Sequence, residues 1–138
     1  EEILRYNTAF ISMRRTATAD TELGGRQIKK GDKIILHYHA ANHDELVFGE
    51  DAMAFDVTRA ERMPDLYTQL RSFGLGQHFC IGSHLARKEL GVMFEEIIPR
   101  LRNPALRGEP RFVRSFFVNA MKELLITFDP EVADAQVA

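Results

Sequence analysis

Phe73-Gly74-Leu75-Gly76-Gln77-His78-Phe79-Cys80-Ile81-Gly82 is the stretch on which the reading of this chain turns. It holds three glycines and the only cysteine of the chain, and it runs straight into a segment that reads as helix over 83–100. Leu85, Leu90, Val92, Met93, Ile97 and Leu101 give that segment a broad apolar face at helical spacing. Cys80 therefore falls just ahead of a helix N-terminus, where unpaired backbone N–H groups and the helix dipole favour negative charge on a sulfur. A lone cysteine is more often a small buried hydrophobe. Gly74, Gly76 and Gly82 argue for another role, because a loop stripped of side chains lets a flat ligand approach the backbone. Phe73 adds an aromatic wall. A thiolate in a dry, glycine-lined loop suits a ferric iron that needs a strongly electron-donating ligand.

The spacing Phe73-x-x-Gly76-x-His78-x-Cys80-x-Gly82, followed by Leu85-Ala86-Arg87, resembles the cysteine-ligand loop of cytochrome P450. The resemblance implies a haem b cofactor with Cys80 as both catalytic residue and axial iron ligand. It implies that Phe73 shields the sulfur and that His78 hydrogen-bonds a propionate. Gly82 would let the next helix pass close under the porphyrin, and Gly74, Gly76 and Ala86 complete the cofactor-binding set. Arg15, in Arg14-Arg15-Thr16-Ala17, resembles the strand arginine that clamps a propionate, a task for which a planar guanidinium fork is suited. Arg14 competes for that role, and strand alternation sends the two side chains to opposite faces.

Working outward, Glu2-Ile3-Leu4-Arg5 resembles the family's E-x-x-R helix, and Glu2 and Arg5 at i, i+3 share one helix face. Phe55-Asp56-Val57-Thr58-Arg59 resembles the loop whose arginine joins that pair. Glu2, Arg5 and Arg59 are expected to form a buried structural network, not a reacting group. Two apolar segments resemble pocket walls: Phe10-Ile11-Ser12-Met13, with Ile11 and Ser12 as candidates, and Phe116-Phe117-Val118, with Phe117 and Val118. Arg71, His84, Arg87 and Lys88 are candidates for a positive patch facing an acidic redox partner.

The elements expected from local patterning are these. Residues 1–5 end a helix. Strands run over 14–19 and 33–38, with turns at Gly24-Gly25 and Lys30-Gly31-Asp32. Asn42 caps a short helical turn reaching Val47. Residues 48–69 are irregular around Pro64. Pro104 and Pro110 bracket a loop. Residues 112–118 and 124–128 form a hairpin, and the chain frays from Asp129. The fold class is α+β, mainly α with small β-hairpins. The whole of 1–138 reads as the C-terminal haem-binding portion of the P450 fold: E-x-x-R helix end, β region, meander loop, ligand loop, long helix and terminal hairpin. The N-terminal helices, and the central helix with its acid–threonine pair, have no counterpart here.

The 138 residues are 45% hydrophobic and 28% charged with a net charge of −2, an ordinary balance for a soluble domain and one without the basic excess of a nucleic-acid binder. No apolar run reaches the ~18 residues of a membrane span. One cysteine excludes an internal disulfide and a multi-cysteine zinc site, which fits a cytoplasmic location. The absence of an initiator Met, and a first residue inside a helix, suggest a piece of a longer chain. The resemblance implies a haem-thiolate monooxygenase that inserts one atom of dioxygen into an apolar substrate such as a steroid or terpene. Electrons would come from NAD(P)H through a ferredoxin reductase and a ferredoxin, with no membrane or nucleic-acid partner. The chain by itself is expected to be inactive. Two alternatives are a non-catalytic haem- or partner-binding fragment and a metal-binding β module built on His37, His39 and His43.

Overall fold

The structure, a computed structural model, describes residues 1–129. Of the tail expected to fray, only Asp129 falls within the described residues, at the end of a strand. The described residues divide into two compact units, Glu1–Phe79 with Arg114–Ala120, and Cys80–Val113 with the described residues that follow Ala120.

In the first unit, helix α1 (Glu2–Tyr6) leads to β1 (Ser12–Thr16), β2 (Thr21–Leu23), β3 (Arg26–Ile28) and β4 (Lys33–His37). β1 pairs antiparallel with β4, Ser12 opposite His37 and Thr16 opposite Lys33. β2 and β3 form a separate hairpin around the glycine turn. The strand expected over 14–19 thus begins two residues earlier and stops at Thr16, where Ala17 is held by the Asp32 carbonyl instead of by a ladder. Four short helices follow: α2 (Tyr38–Ala41), α3 (Glu45–Phe48), α4 (Arg59–Arg62) and α5 (Leu66–Gln69). The segment expected to be irregular therefore carries two single helical turns. The cap of α3 is Asp44, whose side chain accepts from the Leu46 N–H, and not Asn42. Asn42 instead closes α2 and is fully buried.

The apolar core of this unit is small: Phe48, Ala52, Leu66 and Leu70, with Leu4 and Met63 packed against it. Five polar or charged residues of the same unit are equally buried, namely Glu2, Arg5, Thr8, Asn42 and Arg59. Buried charges need partners, and these have them, as described below.

In the second unit, α6 (Ser83–Ile97) is continued by a 3₁₀ turn at Ile98–Arg100. β5 (Arg102–Leu106), β6 (Arg111–Phe112), β7 (Met121–Glu123) and β8 (Ile126–Asp129) then pair as β5 with β8 and β6 with β7. The hairpin expected between 112–118 and 124–128 does not form. Its second half pairs with β5, across a shift in register at Pro104 and Asn103, whose φ is +49°. Pro104 lies inside a strand because that irregularity spares it a ladder hydrogen bond. Residues 114–120 belong to the first unit, where Val118 bridges Phe10.

Candidate functional site

Cys80 is a free, exposed thiol. Its carbonyl accepts from the Ser83 N–H at 3.2 Å, and the Gly82 carbonyl accepts from the Ala86 N–H at 2.9 Å, which opens α6. A Cβ added at Gly82 would lie 3.8 Å from the cysteine Sγ. Glycine here leaves the flank of the sulfur bare. Ala86 presents only a methyl one turn along the helix. Ser83 is fully buried, and its hydroxyl has no partner among the described residues; the ten-residue motif gave no sign of it.

The loop before the cysteine belongs to the first unit. Gly74 and Gly76 have φ of +77° and +71°, a region that L side chains rarely adopt, and a Cβ at Gly74 would also come within 3.3 Å of the Tyr38 hydroxyl. Gly76–His78 form one 3₁₀ turn, with His78 exposed at its end. Phe73 is half-buried, while Leu75 is 68% exposed. In β1, Arg15 is half-buried and Arg14 exposed, as alternation requires. Arg15 makes one hydrogen bond, to the Arg14 carbonyl at 3.0 Å, and forms no ion pair with a carboxylate of the described residues. Its fork is thus available to an anion.

Glu2, Arg5 and Arg59 come together. Arg5 grips Glu2 in bidentate fashion, Nε to Oε2 and Nη2 to Oε1 at 2.7 Å each. Arg59 donates through Nε to both oxygens at 3.2 Å. Both guanidinium groups are fully buried, and their remaining N–H groups collect loop carbonyls. Arg5 donates to Asn42, Ala52 and Ala54, and Arg59 to Phe48, Asp51 and Ala54. Burial alone would raise the pKa of Glu2. The Arg5 hydrogen bonds, the Asp56 N–H and Arg59 outweigh it, so the carboxylate sits below its ordinary range. Sequence reasoning missed the outer ring. Asp51 pairs with Arg59 at 3.1 Å, and Arg62 bridges Asp51 and Asp56. Asp56 is pulled down to about 2, first by the Thr58 hydroxyl and then by Arg62.

The two segments expected to line a pocket also meet. The Ile11 N–H donates to the Phe117 carbonyl at 3.0 Å, and the rings of Phe10 and Phe117 lie 5.2 Å apart. Ile11, Ser12 and Val118 are half-buried and Phe117 is 39% exposed. The histidines do not assemble as a metal module would require. His37 ends β4 and accepts the Ala40 N–H through Nδ1, while His39 lies in α2, so the two do not share a strand face. His39 and His43 stack with ring centroids 4.4 Å apart, and His43 Nδ1 contacts the His39 carbonyl. Among the described residues, no group of three or more His, Cys, Asp or Glu is arranged to hold a metal.

The family model for cytochrome P450 matches residues 1–125. The chain belongs to the cytochrome P450 family. Cytochrome P450-terp of a Pseudomonas species is 42% identical over 93% of this chain and 28% of its own length. Linalool 8-monooxygenase of Pseudomonas putida is 43% identical over 94% of this chain and 30% of its own. Steroid C26-monooxygenase of Rhodococcus jostii is 41% identical over 93% and 26%. The chain thus spans less than a third of the length of these P450 relatives. Among solved structures, cytochrome P450-153 of Novosphingobium aromaticivorans superposes with a TM-score of 0.83 at 41% identity, over 93% of this chain and 31% of that one. P450BioI, solved with an acyl carrier protein bearing hexadec-9Z-enoic acid, does so at 0.83 and 33% identity over 93% and 32%. The mixed helical and small-sheet architecture is therefore part of the P450 fold.

Proposed function

We propose that the protein is a haem-thiolate monooxygenase acting on an apolar organic molecule, with Cys80 as the iron ligand. The observation that carries this is the free Cys80 thiol at the foot of α6, its flank left bare by Gly82. That donor set fits a haem: one soft sulfur, no competing cysteine, and small residues at Gly82 and Ala86 that would leave room for a macrocycle. Phe73 of the preceding loop would shield the sulfur, and Gly74 and Gly76 would complete the cofactor-binding set. Arg15, whose fork is held only by a carbonyl, and the exposed His78 would hold the propionates. When bound, haem b would supply the chemistry that places one atom of dioxygen in a C–H bond while the other leaves as water. The chain's own work is to hold that group, to donate sulfur charge to it, and to fix the surrounding loop through Glu2, Arg5 and Arg59.

Ile11, Ser12, Phe117 and Val118 would form one wall of the substrate pocket, supported by the contact between their segments. Relatives named for linalool, a steroid and a methyl-branched lipid favour an apolar substrate. Electrons would arrive from NAD(P)H through a ferredoxin reductase and a ferredoxin. His84 and Lys88, exposed on α6, are the accessible part of the proposed positive patch with Arg87; Arg71 spends one nitrogen on the carbonyls of Thr68, Gln69 and Leu70. A cytoplasmic setting suits the unpaired cysteine, and no helix among the described residues is long and apolar enough to cross a membrane. The 138 residues alone would give no coupled turnover, since relatives of this kind are more than three times as long.

The spectrum of the reduced, CO-bound full-length protein tests the proposal. A thiolate-ligated haem gives a red-shifted Soret band. An unshifted band would mean that the iron carries no thiolate, and no haem uptake would leave the chain without this function.

A further inference from the structure

Asn42 is buried completely, yet every polar atom of its side chain is used. Its amide nitrogen donates to the Thr8 hydroxyl at 2.9 Å and to the Ser72 hydroxyl at 2.7 Å. Its amide oxygen accepts the Arg71 backbone N–H at 2.7 Å. The two hydroxyls pass the chain on: Ser72 donates to the Leu4 carbonyl at 2.6 Å and Thr8 to the Arg5 carbonyl at 3.3 Å. Those are carbonyls at the carboxyl end of α1, which no helix turn can satisfy. The backbone of Asn42 is also committed, its N–H to the Tyr38 carbonyl and its carbonyl to the Arg5 guanidinium. One residue therefore joins three things: the end of the helix that carries Glu2 and Arg5, the short helix α2, and Arg71-Ser72, the two residues before Phe73.

We propose that Asn42 is a positioning residue for the ligand loop, fixing where the chain enters Phe73 and Gly74 relative to α1. This rests on the haem-thiolate reading of that loop. The polarity of the hub is what makes an amide necessary. The two hydroxyls already spend their protons on α1 carbonyls, so they need a donor at position 42, and the Arg71 N–H needs an acceptor. Only an amide supplies two donors and an acceptor from one small planar group. Aspartate has the same shape and no donor. Both hydroxyls would then have to turn toward it and release Leu4 and Arg5, or face it lone pair to lone pair. Leucine removes every polar partner at once. Tyr38, at the other end of the Asn42 backbone bond, has its hydroxyl 3.3 Å from where a Cβ of Gly74 would stand, a second link between this corner and the ligand loop.

The test uses the full-length haem-loaded protein with Asn42→Asp, Asn42→Leu and a control, Leu66→Ala, which opens the Phe48–Ala52–Leu70 cluster and removes no hydrogen-bonding side chain of the hub. All are measured well below their unfolding temperatures, with folding checked by far-UV circular dichroism. Both Asn42 variants should lose part of the thiolate-type CO band and release haem about tenfold faster, from the buried partners they leave unsatisfied. The control should keep its band and its haem at a comparable loss of melting temperature. Folded Asn42 variants with the parental spectrum and haem release would overturn the proposal. So would a control that lost the band in proportion to its stability, which would make Asn42 merely structural. Should the Asn42 variants fail to fold, Ser72→Ala, which removes one arm of the hub, must show the same spectral loss, and a parental spectrum there would equally overturn it. A parent without a thiolate band would sink the underlying haem reading instead, and is told apart by being seen before any substitution.

Discussion

Glu2 sets the terms at the scale of single residues. It is 6% exposed and shared by two buried arginines, so removing one partner leaves charge stranded in the interior. Arg59→Ala should therefore cost about 3–5 kcal/mol of unfolding free energy, read as a lower midpoint in chemical denaturation; a loss within the scatter of surface mutants would show the network to be dispensable. The same carboxylate predicts acid behaviour. Its folded pKa lies below its ordinary 4.5, so its contribution is present above pH 4.5 and is lost as pH falls through the folded value. Glu2→Gln should flatten the stability–pH curve in that acid range. Arg15 and His78 are proposed to serve cofactor retention. Arg15→Ala and His78→Ala should each weaken haem binding by about 1.5–3 kcal/mol, the worth of a charge-assisted hydrogen bond, without moving the CO band. Parental haem dissociation rates in both would remove them from the site.

At the scale of elements, the contact of Phe10 and Ile11, just before β1, with Phe117 and Val118 bears on the proposed substrate pocket. Substitutions at Ile11, Ser12, Phe117 or Val118 should change which carbon of a substrate is oxidised, and an unaltered product distribution across all four would make them plain packing. α2 carries a pH effect of its own. Burial first, then the neighbouring His43 and His37, hold His39 below its ordinary 6.5. The folded state thus resists protonation, and stability is full above pH 6.5 and declines as pH falls below it. His39→Gln should remove that part of the slope in a thermal melt series.

Elements with a strong local signal were legible in the sequence: the α6 periodicity, the glycine turns, the Cys80 loop and the Glu2–Arg5 spacing. What patterning could not show came from distant partners. Val118 pairs with Phe10, more than a hundred residues away, which pulls 114–120 out of the expected hairpin and leaves β8 to β5. Asn42 has a capping side chain by composition, but its burial among Thr8, Ser72 and Arg71 gave it another task, while Asp44 two residues on took the cap. The chain turns into α2 at Tyr38, with His37 as its cap, and this separates His37 from His39.

At the scale of the whole molecule, the 138 residues present large apolar side chains to solvent. Phe116 is 89% exposed, Phe10 41%, Phe117 39% and Ile81 100%. Surfaces of this kind beyond a few hundred Å² drive association, so the isolated chain should sediment as oligomers, and a monodisperse monomer would contradict that. Supplied with haem and reductase, it should give no coupled hydroxylation, because it spans less than a third of the relatives it matches. Product formed in proportion to NAD(P)H by the 138-residue chain alone would show that these residues suffice. The central claim is narrower and rests on one sulfur. Cys80→Ser in the full-length protein, reduced and exposed to CO, should lose the red-shifted Soret band that the parent shows. A Cys80→Ser variant that kept that band would mean that the iron is held elsewhere.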